Sequence, residues 1–253
     1  MLGFDGVDVG LFEDRSHLQP HHVLPDLASG ARELSAVVHD QGLEFADIFY
    51  QASTFQTLAA NHPDAGERRN SRDFFQRMLE FTLVCNAKHM TGLPGVTWDG
   101  ESPETSLQRC AEELAWRVEQ AKQAGITFSV EPHLGSIVPT PAGARQLVDS
   151  TPGLTLTLDY THFIYQGMSD DDCEPLIPYA SHFHARGARE GRLQAPFKEN
   201  VIDYARVLRA MARANYPGYV GVEYVWIDWE HCNETDNVSE TILMRDHLRS
   251  AVV

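Results

Sequence analysis

The sequence predicts an α/β protein built as a TIM-type (β/α) barrel whose first strand is missing or truncated at the N-terminus. Three observations carry that expectation. Short apolar runs alternate with segments of helical period, which is the mark of βαβ units around a parallel sheet. The chain has 253 residues, close to the ~250 typical of one such barrel. The strand-like runs of the C-terminal half end on metal-ligating residue types, at the edge where a barrel gathers its active site. A doubly wound open sheet is the competing fold, but no Gly-rich phosphate fingerprint follows the first strand.

Taken in order, Gly6–Val9 is the first strand candidate. Leu24, Leu27, Ala31, Leu34 and Val38 then recur at helical spacing, and Phe45–Tyr50 is the second strand. Phe74–Val84 reads as a helix leading into a short strand near Ala87–Met90. The next helix carries Leu107, Ala111, Leu114, Val118 and Ala121 on one face, with Gly125 as its stop. Thr127–Glu131 is the following strand. A helix over Pro141–Val148 ends near Pro152-Gly153 and feeds the strand Leu154–Asp159. Ser181–His184 is the next strand. Val201, Ala205, Leu208 and Ala212 mark a helix that stops at Pro217-Gly218. Tyr219–Glu223 is the last strand and Glu240–Ser250 the closing helix. These are seven strands, where a complete barrel has eight. The gap would leave unpaired backbone groups on both sides. A neighbouring segment, a partner subunit or a misassigned start is expected to account for it. No low-complexity tract or long Gly/Ser linker interrupts the chain, so residues 1–253 read as one domain.

Composition narrows the function classes. An apolar fraction of 43% and a charged fraction of 22% are those of a soluble globular domain. The formal net charge is −16, and the lysines are Lys88, Lys122 and Lys198; a nucleic-acid binder needs a basic footprint instead. Cys85, Cys110, Cys173 and Cys232 are scattered without CxxC spacing and read as free thiols of a reducing compartment. Met1–Arg15 has no basic stretch followed by an apolar run, so no signal peptide is expected, and no run approaches the ~20 apolar residues of a membrane span. The expectation is a cytoplasmic protein with a small-molecule substrate, no nucleic-acid or membrane partner, and a homo-oligomer left open.

Four consecutive strand candidates end on Glu131, Asp159, His184 and Glu223. In a barrel such side chains converge over the mouth. Three carboxylates and one imidazole make a mixed O/N shell for one divalent ion: Mn²⁺, Mg²⁺ or Co²⁺, with Zn²⁺ also admissible. Without a cation the carboxylates would repel and raise one another's pKa. His182 lies two residues from His184 on the same face, and the strand's end favours His184 as ligand. His133, two after Glu131, is either a partner of that glutamate or a substrate contact. Trp98, Trp226 and Trp229 fall in loops after strands, where they either wall a sugar site or pack onto the barrel. Asp170-Asp171-Asp172 reads as a charge cluster at a helix N-terminus.

Ser129-Val130-Glu131-Pro132-His133, Leu158-Asp159-Tyr160-Thr161-His162, His182-Phe183-His184 and Gly221-Val222-Glu223 resemble, in order, the strand-end motifs of the xylose-isomerase-like TIM-barrel superfamily, the sugar isomerase/epimerase and AP-endonuclease-type-2 fold group. The opening Leu2-Gly3-Phe4-Asp5-Gly6-Val7-Asp8 is similar to the run entering that family's second strand. Asn237-Val238-Ser239-Glu240-Thr241 is similar to its tail. The resemblance implies that Glu131 and Glu223 bind the metal and also move protons on opposite faces of a substrate carbon, with Asp159 and His184 completing the shell. Its DxxH pattern makes His162 a substrate contact. The family's substrate-binding arginine falls here on Glu190, which leaves Arg186 and Arg189 as the nearby candidates.

A metal-dependent isomerase or epimerase of a small sugar, ketose or hydroxy-carbonyl acid is therefore expected. The scarcity of lysine speaks against a phosphorylated substrate, though Arg186, Arg189 and Arg192 could bind a phosphate. A dehydratase of an inositol-derived or dehydroshikimate-type substrate is the alternative, with His133 or His162 as the acid. An AP-endonuclease-like hydrolase would need more ligands on early strands, where His89 is the sole histidine, and a basic face. A non-catalytic barrel is the last reading, favoured by the missing strand and opposed by the intact ligand set.

Overall fold

The computed structural model describes residues 2–251, the side chains of residues 229 and 230 excepted. Its frame is seven parallel strands in sequence order: β1 (Gly6–Phe12), β2 (Glu44–Gln51), β3 (His89–Gly92), β4 (Thr127–Val130), β5 (Thr155–Asp159), β6 (Ala180–Ala185) and β7 (Val220–Val222). Around them lie α1 (Leu27–Asp40), α2 (Ala65–Val84), α3 (Pro103–Gln123), α4 (Pro141–Ser150), α5 (Tyr204–Ala214) and α6 (Asn237–Ala251), with short helical turns between β5 and β6. The result is a nearly closed TIM barrel.

Helix starts follow from local chemistry. A side-chain oxygen at the N-cap satisfies an amide that the first turn leaves without a partner. Asp26 does this for α1, Asp64 for α2, Ser102 for α3, Thr140 for α4 and Asp203 for α5. Pro103 and Pro141 sit where a missing N–H costs nothing. Asn215 ends α5 at φ 52°, and Gly125 follows α3 at φ +70°. The acidic triplet Asp170–Asp172 begins a short helical turn behind Ser169, which closes a capping box with Asp172.

Strand alternation divides the strand residues between two layers. Ile48, Met90, Phe128, Leu156, Leu158 and Phe183 are buried against Phe75, Phe81, Leu114, Leu147 and Val207 of the helices. The alternate residues face the barrel axis, and most of them are polar: Asp8, Asp47, His89, Thr91, Ser129, Thr157 and His182. The hydroxyls of Thr91, Ser129 and Thr157 form a triangle with sides of 2.6, 2.6 and 3.1 Å. A register shift between Leu156 and Thr157 pairs Leu156 with Ala180 and Thr157 with His182. Ser181 is thereby left between the pairs, and its hydroxyl donates to Thr155 Oγ1 at 2.7 Å and lies 2.8 Å from His89 Nε2.

Among the described residues no ladder joins β7 to β1, so the expected gap falls between the first and last strands. Side chains cross it. His182 Nε2 donates to Asp8 Oδ2 at 3.0 Å, and Tyr219 Oη donates to Glu44 Oε2 at 2.7 Å. A methyl group at Gly221 would collide with the Asp8 carboxylate, so the strand can pass this close only as glycine. Several boundaries differ from the sequence expectation. β1 runs on to Phe12, β3 lies at His89–Gly92, and α2 starts at Ala65. Val201 stands outside α5 and is exposed. No described helix is long and apolar enough to cross a membrane.

Candidate metal centre

The mouth of the barrel is built where β4 to β7 end. Glu131 follows β4, Asp159 ends β5, His184 lies near the end of β6 and Glu223 follows β7. One donor atom from each lies within 4.8 Å of the others. Donors about 2.1 Å from a common cation stand ~3–4 Å apart, so the spacing and the donor types both fit one divalent ion.

The ligand candidates differ in how they are held. Asp159 Oδ1 accepts from the Thr161 amide at 2.8 Å, and its Oδ2 accepts from Arg186 Nη2 at 2.8 Å. Glu131 Oε1 accepts from His184 Nδ1 at 2.8 Å. Glu223 Oε2 is buried with no hydrogen-bond partner; His184 Nδ1 stands 3.6 Å away and Arg186 Nη2 3.5 Å. An orphaned, buried carboxylate oxygen is the atom a cation would satisfy. On the far side of the ring, Asp8 Oδ2 lies 3.8 Å from His184 Nε2, placed to hold that nitrogen's proton when Nδ1 is a ligand. Asp8, His182 and His184 also bring donor atoms together, but His182 is already committed to Asp8.

Electrostatics record the crowding. Burial pushes Glu131 up to about 7, and Glu223 and Asp159 add to the rise against the lowering effect of His184. Burial alone would raise Asp159, but Arg186, His162 and His184 outweigh it and hold that carboxyl below its ordinary value. Burial would likewise lower His184, yet Glu223, Glu131 and Asp8 hold it well above the usual histidine range. The cluster thus gathers positive charge from its own protons and from Arg186.

Further residues were singled out in the sequence. His162 lines the cavity at the mouth; its Nδ1 accepts from the Leu134 amide at 3.3 Å, and its Nε2 stands 3.8 Å from Glu131 and 3.7 Å from Asp159. Burial pushes it down to about 3. His133 lines the same cavity and is pushed down to about 4, again by burial. Arg186 is drawn into the centre as the partner of Asp159. Arg189 is not: it pairs with Glu199 at 3.1 Å and is absent from the cavity lining, as is Arg192. Of the tryptophans, Trp226 lines the cavity, Trp98 packs on His62 and Asn61, and the side chain of Trp229 lies outside the described residues. Sequence reasoning missed Arg15 and Asp8, which reach the cavity from β1 and the turn after it. The cavity measures about 720 Å³.

A family model described as a xylose isomerase-like TIM barrel matches residues 1–248. Several solved structures share the fold. A D-psicose 3-epimerase from Clostridium cellulolyticum H10, solved with D-tagatose, is 18% identical over 99% of this chain and 90% of that chain, with a TM-score of 0.77. An L-ribulose 3-epimerase is 16% identical over 99% and 85%, with a TM-score of 0.75. The probable 3-DHS dehydratase AsbF from Bacillus anthracis is 13% identical over 98% and 89%, with a TM-score of 0.70. No curated protein matches the chain.

Proposed function

The chain belongs to the xylose isomerase-like TIM barrel family, and from that premise we propose that it is a divalent-metal-dependent isomerase or epimerase of a small ketose or hydroxy-carbonyl acid. The observation that carries this reading is the convergence of Glu131, Asp159, His184 and Glu223 donor atoms within 4.8 Å at the barrel mouth. Glu131, His184 and Glu223 line a cavity of about 720 Å³, within the range of small-molecule sites. A net charge of −16 supports a small substrate over nucleic acid.

Those four residues would hold the ion, and the donor set suits Mn²⁺, Mg²⁺ or Co²⁺, with Zn²⁺ also admissible. When bound, it would polarise the substrate carbonyl and stabilise the negative charge that develops on its oxygens. The residues of the chain do the rest. Glu131 and Glu223 come from strands on different sides of the mouth, so one carboxylate takes the C–H proton and the other returns a proton to the opposite face or the neighbouring carbon. Arg186 fixes Asp159. Phe49 stacks beside His184 with ring centroids 6.1 Å apart and keeps water from that side.

The dehydratase reading has a fold neighbour in its favour. It needs an acid for the departing hydroxide, and the two histidines offered for that task, held at about 4 and about 3, are neutral near pH 7. We therefore place it second. Incubation of ketoses and hydroxy-keto acids in deuterated water, with and without chelator, tests the proposal. Metal-dependent exchange of one C–H proton with an isomeric product is expected. Loss of water from the substrate would move the assignment to the dehydratase, and chelator-insensitive turnover would end the metal-dependent reading.

A further inference from the structure

Of the two guanidiniums that line the cavity, Arg15 and Arg186, Arg15 is the one without a contact ion pair among the described residues. Beyond β1 the chain folds back sharply. The amides of Arg15 and Ser16 both donate to Phe12 O, at 3.3 and 3.0 Å, and Asp14 sits at φ 63°. The turn aims Arg15 over its own strand. Its guanidinium stacks 5.2 Å from the centroid of the Phe12 ring and donates to Gln51 Oε1 at the end of β2. Among the described residues it has no ion pair within 4.0 Å. Stacking and one neutral acceptor orient the guanidinium while leaving donors of its planar fork unused.

Arg186 is the opposite case, with Asp159, Thr161 and Glu223 around it. With His184 as a neutral ligand, a divalent cation and Arg186 together balance the carboxylates of Glu131, Asp159 and Glu223. Asp8 is engaged by His182. Arg15 then faces the cavity with no carboxylate in ion-pair contact, although Glu131 and Glu223 act on it from further off. His133 supplies a second, independent vacancy in the hydrogen-bonding pattern. It is 3% exposed, its Nδ1–H donates to Leu134 O at 2.7 Å, and its Nε2 is buried without a partner. A ring whose Nδ1 carries the proton offers a lone pair at Nε2, so the atom on offer is an acceptor for a hydroxyl.

We infer that Arg15 anchors an anionic group of the substrate, a carboxylate or a phosphate, while His133 Nε2 accepts from a hydroxyl of the same molecule. The substrate is then an acidic or phosphorylated hydroxy-ketone, and a neutral sugar is the poorer ligand. This rests on the proposed function for the ion and the ketone, and on Arg15 and His133 for the charge and the hydroxyl.

The test is calorimetric titration of the Mn²⁺-loaded protein with three probes that differ at one carbon: D-fructose, D-fructuronate and D-fructose 6-phosphate. At least one anionic probe should bind about 10- to 100-fold more tightly than D-fructose, as a charge-assisted contact supplies. Which one does so separates carboxylate from phosphate. Arg15→Gln should bring that probe to the D-fructose value without weakening Mn²⁺ binding, because it removes a positive charge near Glu131 and Glu223, and with the melting temperature unmoved because Arg15 is an exposed turn residue outside the ligand set. Equal affinity for all three probes, no binding of either anion, or a preference that survives Arg15→Gln would overturn the inference. If D-fructose binding needs Mn²⁺ while the anions gain nothing, the anchor fails and the metal-enzyme reading stands. If Arg15-dependent anion binding ignores Mn²⁺, the anchor stands and that reading fails.

Discussion

Two buried polar clusters share the barrel axis. The lower one sets Asp8 and Asp47 against His89 and His182, with contacts of 2.6 Å between Asp47 Oδ1 and His89 Nδ1 and 3.0 Å between Asp8 and His182. The upper one sets Glu131, Asp159 and Glu223 against His184 and Arg186. Asp47 and Glu131 are both buried, yet they respond in opposite directions. His89 and His182 overcome the burial of Asp47 and carry it down to about 2, while burial and two neighbouring carboxylates carry Glu131 up to about 7. Burial alone therefore does not distinguish a structural carboxylate from one awaiting a ligand. The local balance of charge does: each lower carboxylate has its imidazole, whereas the upper three have a surplus of negative charge that a cation would relieve.

The largest expected effect lies in the upper cluster. Glu131→Gln and Glu223→Gln keep an oxygen at the position and remove the basic carboxylate. Turnover should fall by about 10²–10⁴-fold for either, while bound Mn²⁺, measured by elemental analysis, falls only modestly. The variant that keeps the proton-abstracting carboxylate should retain solvent exchange of the C–H proton without completing the reaction. Normal turnover in both variants would reduce the glutamates to ligands.

Exchanging the clusters gives the next contrast. Asp159→Ala or His184→Ala should abolish metal retention after dialysis. Asp47→Ala should keep the metal but lose about 3–5 kcal/mol of stability, because His89 is left buried against an empty position. Denaturant melts of the three variants, paired with metal analysis, check this. A stable Asp47→Ala protein that has lost its metal would merge the two clusters into one.

The contrast also explains what could be read beforehand. Glu131, Asp159, His184 and Glu223 were legible because each ends a short strand-like run, and strand ends meet at one rim whatever the register. The lower cluster was not. Asp47, His89, Ser181 and Thr155 sit at different depths in different strands, and Ser181 reaches His89 at the shift between Leu156 and Thr157. Such a shift has no mark in the sequence. Arg15 was hidden by a boundary: β1 ends at Phe12, and a strand ending at Val9 would place the turn too early. The start of α2 was hidden by polarity, since residues 65–73 lack an apolar stripe, although Asp64 is a recognisable cap.

Asp8 touches both clusters, and a smaller effect is expected there. It accepts from His182 and stands behind His184. Asp8→Asn should weaken Mn²⁺ binding by about 10–100-fold, the usual consequence of losing a carboxylate behind a ligand histidine. Absorption of the Co²⁺-substituted protein should shift, reporting altered ligation that a purely structural role would leave alone. Unchanged affinity and spectrum would assign Asp8 to the strand seam only.

The smallest effect is in pH, where the clusters should pull in opposite directions. Asp47 has a folded value of about 2 against an ordinary 3.8. A depressed carboxyl contributes stability that is fully present above the ordinary value and is lost as pH falls through the folded one. The contribution is on the order of 2 kcal/mol. Melting temperatures of wild type and Asp47→Asn should therefore differ by a constant amount above pH about 4 and converge towards pH 2. Glu131 and His184 are both raised, Glu131 from 4.5 to about 7. The folded, metal-free protein then holds more protons at the mouth than the unfolded chain, and that contribution is lost as pH rises from about 4.5 through 7 and beyond. Removing the burden with Glu131→Gln should leave chelator-treated protein more stable than wild type at pH 8 and no better at pH 5. Adding Mn²⁺ should erase the advantage, because the cation supplies the positive charge that the protons had supplied, and its own affinity should rise with pH as they are displaced. If the Asp47→Asn difference stayed flat down to pH 2, the aspartate would not be held low by its imidazoles. If the Glu131→Gln advantage survived saturating Mn²⁺, the upper cluster would not be the place the cation binds.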